Sequence, residues 1–180
     1  DAVAGAVYEL LDLDVEGIVV AFMNAYANPI NEQKARDAIK SIRPDLHVSC
    51  SSEVLPLFRE FERTSTATVN AYVQPIVTQY LQRVQDRLKS ATGFDRNLLV
   101  MQSNGGMLDV DAISDFPVHT VLSGPAAGVM GAVRLAAEHG IDRLITYDMG
   151  GTSLDVALVS DGKPEISNGT DIEFGIPIET

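Results

Sequence analysis

The stretch RLITYDMGGTSLDVALVSDGK, from Arg143 to Lys163, decides the fold. Residues Arg143–Asp148 and Leu154–Ser160 are rich in β-branched and apolar side chains, which predicts two strands. Asp161-Gly162 is a strong hairpin signal, and a further antiparallel strand is predicted from Lys163 to Ser167. The segment is therefore expected to form strand, loop, strand, hairpin and strand, with a Gly-Gly loop between the first two strands.

The loop DMGGTSLD, residues 148–155, carries the chemistry of this segment. Two adjacent glycines let the backbone turn tightly and approach a ligand closely, because no Cβ intervenes. Successive backbone N–H groups in such a turn form a concave site for an anion. Asp148 is placed to hold Mg²⁺ through water, and Asp155 to orient a metal-bound water or to cap the loop. The candidate phosphate-binding residues are Gly150, Gly151, Thr152, Ser153 and Asp155.

The alternative interpretation of this loop is an ordinary Gly-Gly hairpin whose polar side chains bind no ligand. Its position between two antiparallel strands favours phosphate binding, although it is neither a P-loop nor a dinucleotide fingerprint, since both of those lead from a strand into a helix. A helix rich in small residues, from Ser123 to about His139, is predicted to precede it. Pro125 suits its first turn, and Gly140 suits the position after its end.

The first fifty residues predict a parallel crossover unit. A short helix at Ala2–Leu11 precedes GIVVAFM (17–23), an apolar run typical of a strand that is buried on both faces. Asn28-Pro29 indicates the start of a helix over Ile30–Ile42, and a second strand is predicted at Leu46–Cys50. Strand, helix and strand in this order indicate two parallel strands.

A long helix is predicted from Phe61 to about Ala91, with a kink at Pro75. Residues 63–66 (RTST) open it, and capping of the helix start is favoured there over proximity to a cleft. A strand at Asn97–Gln102 ends at Asn104-Gly105-Gly106, where ligand contact and simple turn chemistry are equally supported. The helix carries an apolar stripe that is expected to lie in the core: Val69, Tyr72, Val73, Ile76, Val77, Tyr80, Leu81, Val84 and Leu88.

Composition excludes several function classes. The formal net charge of -12 argues against nucleic acid and against an anionic membrane surface, because both need a basic face. No apolar run approaches the ~20 residues of a membrane span. The single cysteine, Cys50, is expected to be a buried structural thiol in a reducing, cytoplasmic compartment. Since the chain starts at Asp1 without methionine and stops at Thr180 after a strand-like stretch, it is expected to be a fragment of a longer protein.

Most of the chain from about Phe58 onward resembles the hydantoinase A / 5-oxoprolinase family. The stretches that carry the resemblance are Phe58–Val77, Met101–Ala132 and Tyr147–Val159. The resemblance implies an α/β fold of actin-like ATPase (ribonuclease H-like) lobes, present here as an incomplete fragment. Residues 1–60 would complete the first lobe. Residues 61–180 would contain the long helix, the helix that connects the lobes, and the start of the second lobe with the phosphate loop 148–155.

The resemblance also implies an ATP- and Mg²⁺-dependent hydrolase of cyclic amides such as 5-oxoproline and hydantoins, which activates the amide by phosphorylation. Asp148 would bind the metal, and the nucleotide would be held by Gly150, Gly151, Thr152, Ser153, Asp155 and Gly124. The family's first phosphate loop and its nucleotide-closing segment are expected outside this stretch. No catalytic base carries over, because Gly124 stands where Hsp70-like relatives have an acidic residue.

The partners that the resemblance implies are a small cyclic amide and a second enzyme subunit of the hydantoinase B type, in an oligomer. A subunit of an ATP-dependent ketone carboxylase, of the acetone or acetophenone type, would have the same fold and loop. A function of a different class is an actin-like module that binds nucleotide as a switch. The fragment by itself is expected to be inactive.

Overall fold

A computed structural model describes residues 2–165, together with the backbone of residues 170–172 and 176–178. The α-helices in these residues are α1 (Ala2–Leu11), α2 (Ile30–Ile42), α3 (Ser51–Val54), α4 (Glu60–Thr92), α5 (Val110–Asp115) and α6 (Ser123–Glu138), with a 3₁₀ turn at Pro117–Thr120. The strands are β1 (Gly17–Val20), β2 (His47–Cys50), β3 (Leu99–Met101), β4 (Met107–Asp109), β5 (Leu144–Met149), β6 (Leu154–Ser160), β7 (Lys163–Pro164), β8 (Thr170–Ile172) and β9 (Ile176–Ile178).

The predicted parallel crossover unit is present. β1 and β2 pair in parallel, from Gly17 opposite His47 to Val20 opposite Cys50, and α2 connects them. β1 ends at Val20, three residues before the predicted limit at Met23, because the Phe22 N–H donates to the Glu32 carboxylate and not to a neighbouring strand. The core of this unit is formed by Val7, Ile18, Val20, Ala35, Ile39, Leu46 and Cys50.

Cys50 is 1% exposed, as expected for a structural thiol. Burial is the main cause that raises the pKa of its thiol to about 12. The thiolate is therefore scarce at neutral pH, and a nucleophilic role is unfavourable.

Helix α4 runs without interruption through Pro75 and ends at Gly93, which has the left-handed φ of 70° that favours glycine. The kink at Pro75 remains a prediction. The expectation that the hydroxyls of residues 63–66 cap the helix start is wrong. The helix begins at Glu60 after Arg59, without a side-chain cap, and the Thr66 hydroxyl donates to the Glu62 carbonyl.

The apolar stripe of α4 lies in the core only in part. Tyr72 and Tyr80 are 79% and 58% exposed, so their prediction as core residues is wrong. The reason is that α4 buries a largely polar face against the β1–β2 unit. Asn70, for example, donates through Nδ2 to the Ser49 hydroxyl at 3.0 Å and accepts the Val118 N–H at 3.1 Å.

The predicted strand at Asn97–Gln102 is present as β3, and its hairpin partner β4 and the helix α5 were not predicted. Val100 pairs with Leu108 in this antiparallel hairpin, and Asp109 caps α5 by accepting the Ala112 N–H at 2.9 Å. These elements pack their apolar side chains under the second half of α4, around Leu81, Val110 and Ile113.

The three antiparallel strands at the end of the described chain follow the predicted order β5–β6–β7. Asp161 and Gly162 both have positive φ, at 53° and 71°, as a type I′ hairpin turn requires. Residues 166 and 167 of the predicted last strand lie outside the described residues. In the part of the chain that the structure describes, no helix combines the length and apolar character needed to cross a bilayer.

The β5–β6 pair has two different faces. Val159, on the side of α6, is 2% exposed. The opposite face, here called the outer face, consists of apolar side chains that all remain exposed: Ile145, Tyr147, Met149, Leu154, Val156 and Leu158.

Candidate functional site

The candidate phosphate loop is the tip of the β5–β6 hairpin. Asp148 lies opposite Asp155 and Met149 lies opposite Leu154, and the Gly150 N–H donates to the Ser153 carbonyl at 3.0 Å. This hydrogen bond places Gly151 and Thr152 at the apex of the turn. Every residue from Asp148 to Asp155 is exposed, so the donors of the tip are accessible to a ligand.

The hairpin itself does not require glycine at positions 150 and 151. The backbone turns tightly here, as predicted, but neither residue is among the described residues with positive φ, so the turn does not need the conformational freedom of glycine. A Cβ at Gly151 would meet no atom within 4 Å, and one at Gly150 would meet only Ser153 atoms at 3.7 Å. What glycine adds here is an open rim on which a ligand can approach the backbone closely.

Asp148 and Asp155 face the same side of the hairpin because they are directly opposite in an antiparallel pair. In an antiparallel pair, hydrogen-bonded and non-hydrogen-bonded residue pairs alternate along the strands. Because Gly150 and Ser153 form a hydrogen-bonded pair, Asp148 and Asp155, two residues further along, form one as well, with Cα atoms about 5.5 Å apart. Like charges at this spacing destabilise the pair, and a cation between them would remove the repulsion. Mg²⁺ is usually held by one or two carboxylates together with water and phosphate oxygens, so this donor set fits Mg²⁺ with a nucleotide.

A cavity of about 480 Å³ lies between this face of the hairpin and the first turns of α6. It brings together Asp148, Asp155, Pro125, Ala126 and Gly128. A helix N-terminus favours negative charge, which suits the entry of phosphate from this side. Gly124 is adjacent to Pro125 but is not among the residues that line this cavity.

The Asn104-Gly105-Gly106 turn packs against α6. The Asn104 side chain accepts the Gly106 N–H at 2.8 Å, and Gly105 has a φ of 82°. A Cβ at Gly105 would lie 3.0 Å from the Met130 side chain. Turn chemistry and close packing account for these residues, and ligand contact at this turn remains a prediction.

No set of three or more His, Cys, Asp or Glu side chains arranged to hold a metal occurs within the described residues. A metal held by protein ligands alone is therefore not indicated there. A cation at the Asp148–Asp155 pair would need water and phosphate oxygens to complete its coordination shell.

Sequence reasoning did not identify a buried charged cluster at the carboxyl ends of β1 and β2. Glu32 is fully buried and accepts from the Phe22 N–H, the Ser51 hydroxyl, and the N–H and hydroxyl of Ser52, at 2.6–2.8 Å. Burial acts to raise the pKa of Glu32, but the hydrogen bonds from Ser52, Ser51 and Phe22 outweigh it and hold this pKa below its ordinary value.

Arg63 is the cation of this cluster and is also fully buried. It donates to the Ser51 hydroxyl oxygen at 3.0 Å, to the Leu57 carbonyl at 2.7 Å and to the Phe22 carbonyl at 2.8 Å. Ser51 therefore bridges the two ions. Only a weak signal for this cluster is present in the sequence, namely a charged residue near the start of each of two helices, Glu32 in α2 and Arg63 in α4.

Comparison with known proteins gives the family of this chain. The sequence model of the Hydantoinase/oxoprolinase family matches residues 63–179. The caprolactamase subunit alpha of Pseudomonas jessenii is 33% identical over 98% of this chain and 26% of its own length. The 5-oxoprolinase of Saccharomyces cerevisiae is 34% identical over 84% of this chain and 11% of its own length.

A solved structure extends the comparison to the fold. The nucleotide-free structure of an acetone carboxylase, described as ATP-dependent, superposes with a TM-score of 0.79 at 30% identity, over 99% of this chain and 26% of the solved one. That structure has the actin-like ATPase-type fold, so the present α/β chain is a part of such a fold. The chain spans about a quarter of the length of the caprolactamase subunit and of the acetone carboxylase chain and about a tenth of the 5-oxoprolinase. It belongs to the hydantoinase/oxoprolinase family.

Proposed function

We propose that the complete protein is an ATP- and Mg²⁺-dependent enzyme that hydrolyses a cyclic amide of the hydantoin, 5-oxoproline or lactam type. The observation that carries this proposal is the hairpin tip, where two facing carboxylates adjoin an exposed Gly-Gly turn that the fold itself does not need. Relatives that act on cyclic amides, caprolactamase and 5-oxoprolinase, support the substrate class.

In this proposal the residues of the chain have separate tasks. Asp148 binds the cation through water, and Asp155 orients that water. The Gly151 backbone N–H, with the hydroxyls of Thr152 and Ser153, holds the terminal phosphates. Gly150 closes the turn through its N–H bond to Ser153 and, having no Cβ, leaves room for the phosphate beside it. Bound ATP supplies the phosphoryl group that activates the amide oxygen. Preorganised donors of this kind provide most of the stabilisation that phosphoryl transfer needs.

The proposed domain division keeps residues 1–60 in the first lobe and residues 61–180 in the second. The two parallel strands lie in the first of these parts and the candidate phosphate loop lies in the second. The nucleotide would lie between them, with Gly124 close to it at the start of α6. A second subunit is proposed as a partner because the caprolactamase relative is itself one subunit of its enzyme.

The first prediction concerns turnover by the full-length protein. Incubation with ATP, Mg²⁺ and a cyclic amide is expected to release ADP in step with ring opening, and Asp148→Ala is expected to abolish Mg²⁺-nucleotide binding. Asp95→Ala, at a distant exposed aspartate, serves as the control and should bind nucleotide normally. ADP release that is independent of every cyclic amide would reject the proposed function, and unchanged nucleotide affinity of Asp148→Ala would reject the role of Asp148.

A second candidate function is favoured by the structural similarity to acetone carboxylase. In that case the same hairpin tip would serve ATP-dependent carboxylation of a ketone. Bicarbonate-dependent ADP release with a ketone, and none with a cyclic amide, distinguishes this function from the first.

A further inference from the structure

The buried Glu32–Ser51–Arg63 cluster lies where the two parallel strands end. β1 ends at Val20 and β2 ends at Cys50, and these two residues are paired neighbours. In open α/β sheets, ligands bind outside the carboxyl ends of the parallel strands. The segment that follows β1 is therefore at the ligand-binding end of this unit.

The cluster holds the backbone of this segment through one residue, Phe22. The Phe22 N–H donates to Glu32 at 2.8 Å, and the Phe22 carbonyl accepts from Arg63 at 2.8 Å. Both backbone groups of Phe22 are thus bonded to buried ions of opposite charge. Tyr26 is held as well, because the Arg63 guanidinium lies 5.9 Å from the centre of its ring.

A buried ionic cluster of this kind contributes little net stability compared with apolar side chains of the same volume. Its distinctive effect is on conformation, since the bidentate geometry of a guanidinium and a carboxylate allows one arrangement of the backbone groups they bind. Glu32 and Arg63 are therefore better explained by the shape they impose on residues 22–26 than by stability alone.

The held segment FMNAY, residues 22–26, exposes apolar side chains and contains no charged residue. Met23 is 83% exposed, and Phe22 and Tyr26 are each about two-fifths exposed. A surface of this type is unsuited to phosphate but suits the hydrocarbon part of a small ring. Methionine in particular adapts its shape to apolar ligands.

We propose that Glu32 and Arg63 are positioning residues for the amide substrate, and that the loop they hold, residues 22–26, contacts the hydrocarbon part of that substrate through Met23. This inference rests on the proposed function for the substrate class. It assigns a binding task to the first part of the chain, whereas the hairpin tip binds the nucleotide in the second part.

The second prediction separates the two substrates of the full-length protein kinetically. Met23→Ala is expected to raise the KM for the cyclic amide about tenfold, the scale on which an apolar pocket discriminates, and to leave the KM for MgATP unchanged. Arg63→Lys is expected to raise the same KM, because an ammonium cannot replace the three directed donors of Arg63. In this variant and in Glu32→Gln, hydrogen exchange at the amides of residues 22–26 should become faster.

Leu13→Ala is the matched control, because Leu13 is also a highly exposed apolar residue but precedes β1. It should change neither KM. An unchanged amide KM in Met23→Ala would overturn the inference, and so would an equal rise of both KM values in Arg63→Lys, since that result indicates general damage to the fold. Thermal unfolding of each variant identifies such damage directly.

The design also distinguishes failure of the inference from failure of the proposed function. If the protein carboxylates a ketone and opens no cyclic amide, the proposed function is rejected. The substrate class named in the inference is then rejected too, even if Met23→Ala alters the KM for the ketone. If it turns over neither compound, hydrogen exchange of residues 22–26 is measured with and without each one. Slower exchange with the cyclic amide alone supports the inference, and unchanged exchange overturns it.

Discussion

Glu32 keeps its negative charge inside the protein because hydrogen bonds take the place of water. Its donors come from Phe22, Ser51 and Ser52, on two segments that follow parallel strands. The cost of burying a carboxylate is high when it is unpaired, and here every donor is directed at the charged form. Protonation of Glu32 would therefore weaken the connection between the two strand ends.

The third prediction is a pH dependence that originates at this residue. The pKa of Glu32 in the folded protein lies below its ordinary value of 4.5. Ionised Glu32 consequently stabilises the fold in full above pH 4.5, and this contribution is lost as the pH falls through the lower, folded value. The difference in free energy of unfolding between wild type and Glu32→Gln should be about 3 kcal/mol at pH 7 and should shrink towards pH 3.

Thermal or urea unfolding of both proteins between pH 7 and pH 3 measures this difference. Glu9→Gln, on the exposed surface of α1, is the control and should change the stability little at any pH. A difference for Glu32→Gln that stays constant over the whole range would show that Glu32 acts through packing and not through its charge.

Elements whose signals are local could be predicted from the sequence. Helix α1 follows from its small, apolar composition and helix α2 from Asn28-Pro29 at its start. The β6–β7 turn follows from Asp161-Gly162. The polar contacts of α4 could not be predicted, because their partners are far apart along the chain. Arg63 bonds to Phe22 across 41 residues, and Asn70 bonds to Val118 across 48. Periodicity alone placed Leu81 correctly in the core but also assigned the exposed Tyr72 and Tyr80 to it.

The same limit applies to the candidate site. The hairpin tip was predictable because its motif is contiguous in sequence. The Glu32–Ser51–Arg63 cluster was not predictable because its members come from α2, α3 and α4 and meet only in the folded chain.

The fourth prediction compares two glycines, one with left-handed backbone in a turn and one in a right-handed helix. Gly162 has a φ of 71° in the β6–β7 turn, so Gly162→Ala should destabilise the fold by about 1–2 kcal/mol. Gly131 lies within α6, where an added Cβ meets no atom within 4 Å, so Gly131→Ala should stabilise it by about 1 kcal/mol. Urea unfolding measures both changes. Equal effects of the two substitutions would contradict the assigned turn.

On the scale of the whole molecule, the described part of the chain exposes many large apolar side chains. The outer face of β5–β6 and the tyrosines Tyr72 and Tyr80 of α4 are the main contributors. Large contiguous apolar patches on a protein surface mark contact sites or sources of aggregation. The caprolactamase subunit and the acetone carboxylase chain are about four times as long as this chain. In the full-length protein proposed above, further polypeptide would cover these surfaces.

The fifth prediction is that the isolated 180-residue chain associates with itself at micromolar concentration. The double substitution Tyr147→Glu and Val156→Lys, on facing residues of the outer face, should shift it towards monomer in size-exclusion chromatography with light scattering. Tyr8→Lys, on α1, is the control and should leave the association unchanged. If the isolated wild-type chain stays monomeric, the outer face does not mediate self-association.

The bridge that Ser51 forms between Glu32 and Arg63 also restricts how this sequence can change over generations. If Arg63 is neutralised, the buried charge of Glu32 depends on its hydrogen bonds alone, and if Glu32 is neutralised, Arg63 keeps Glu60, 4.0 Å away, as its counter-charge. Removing one partner from a buried ionic cluster costs about 3–5 kcal/mol. A substitution at one of these two positions, which are 31 residues apart on different helices, is therefore expected to be tolerated better when the other position changes as well.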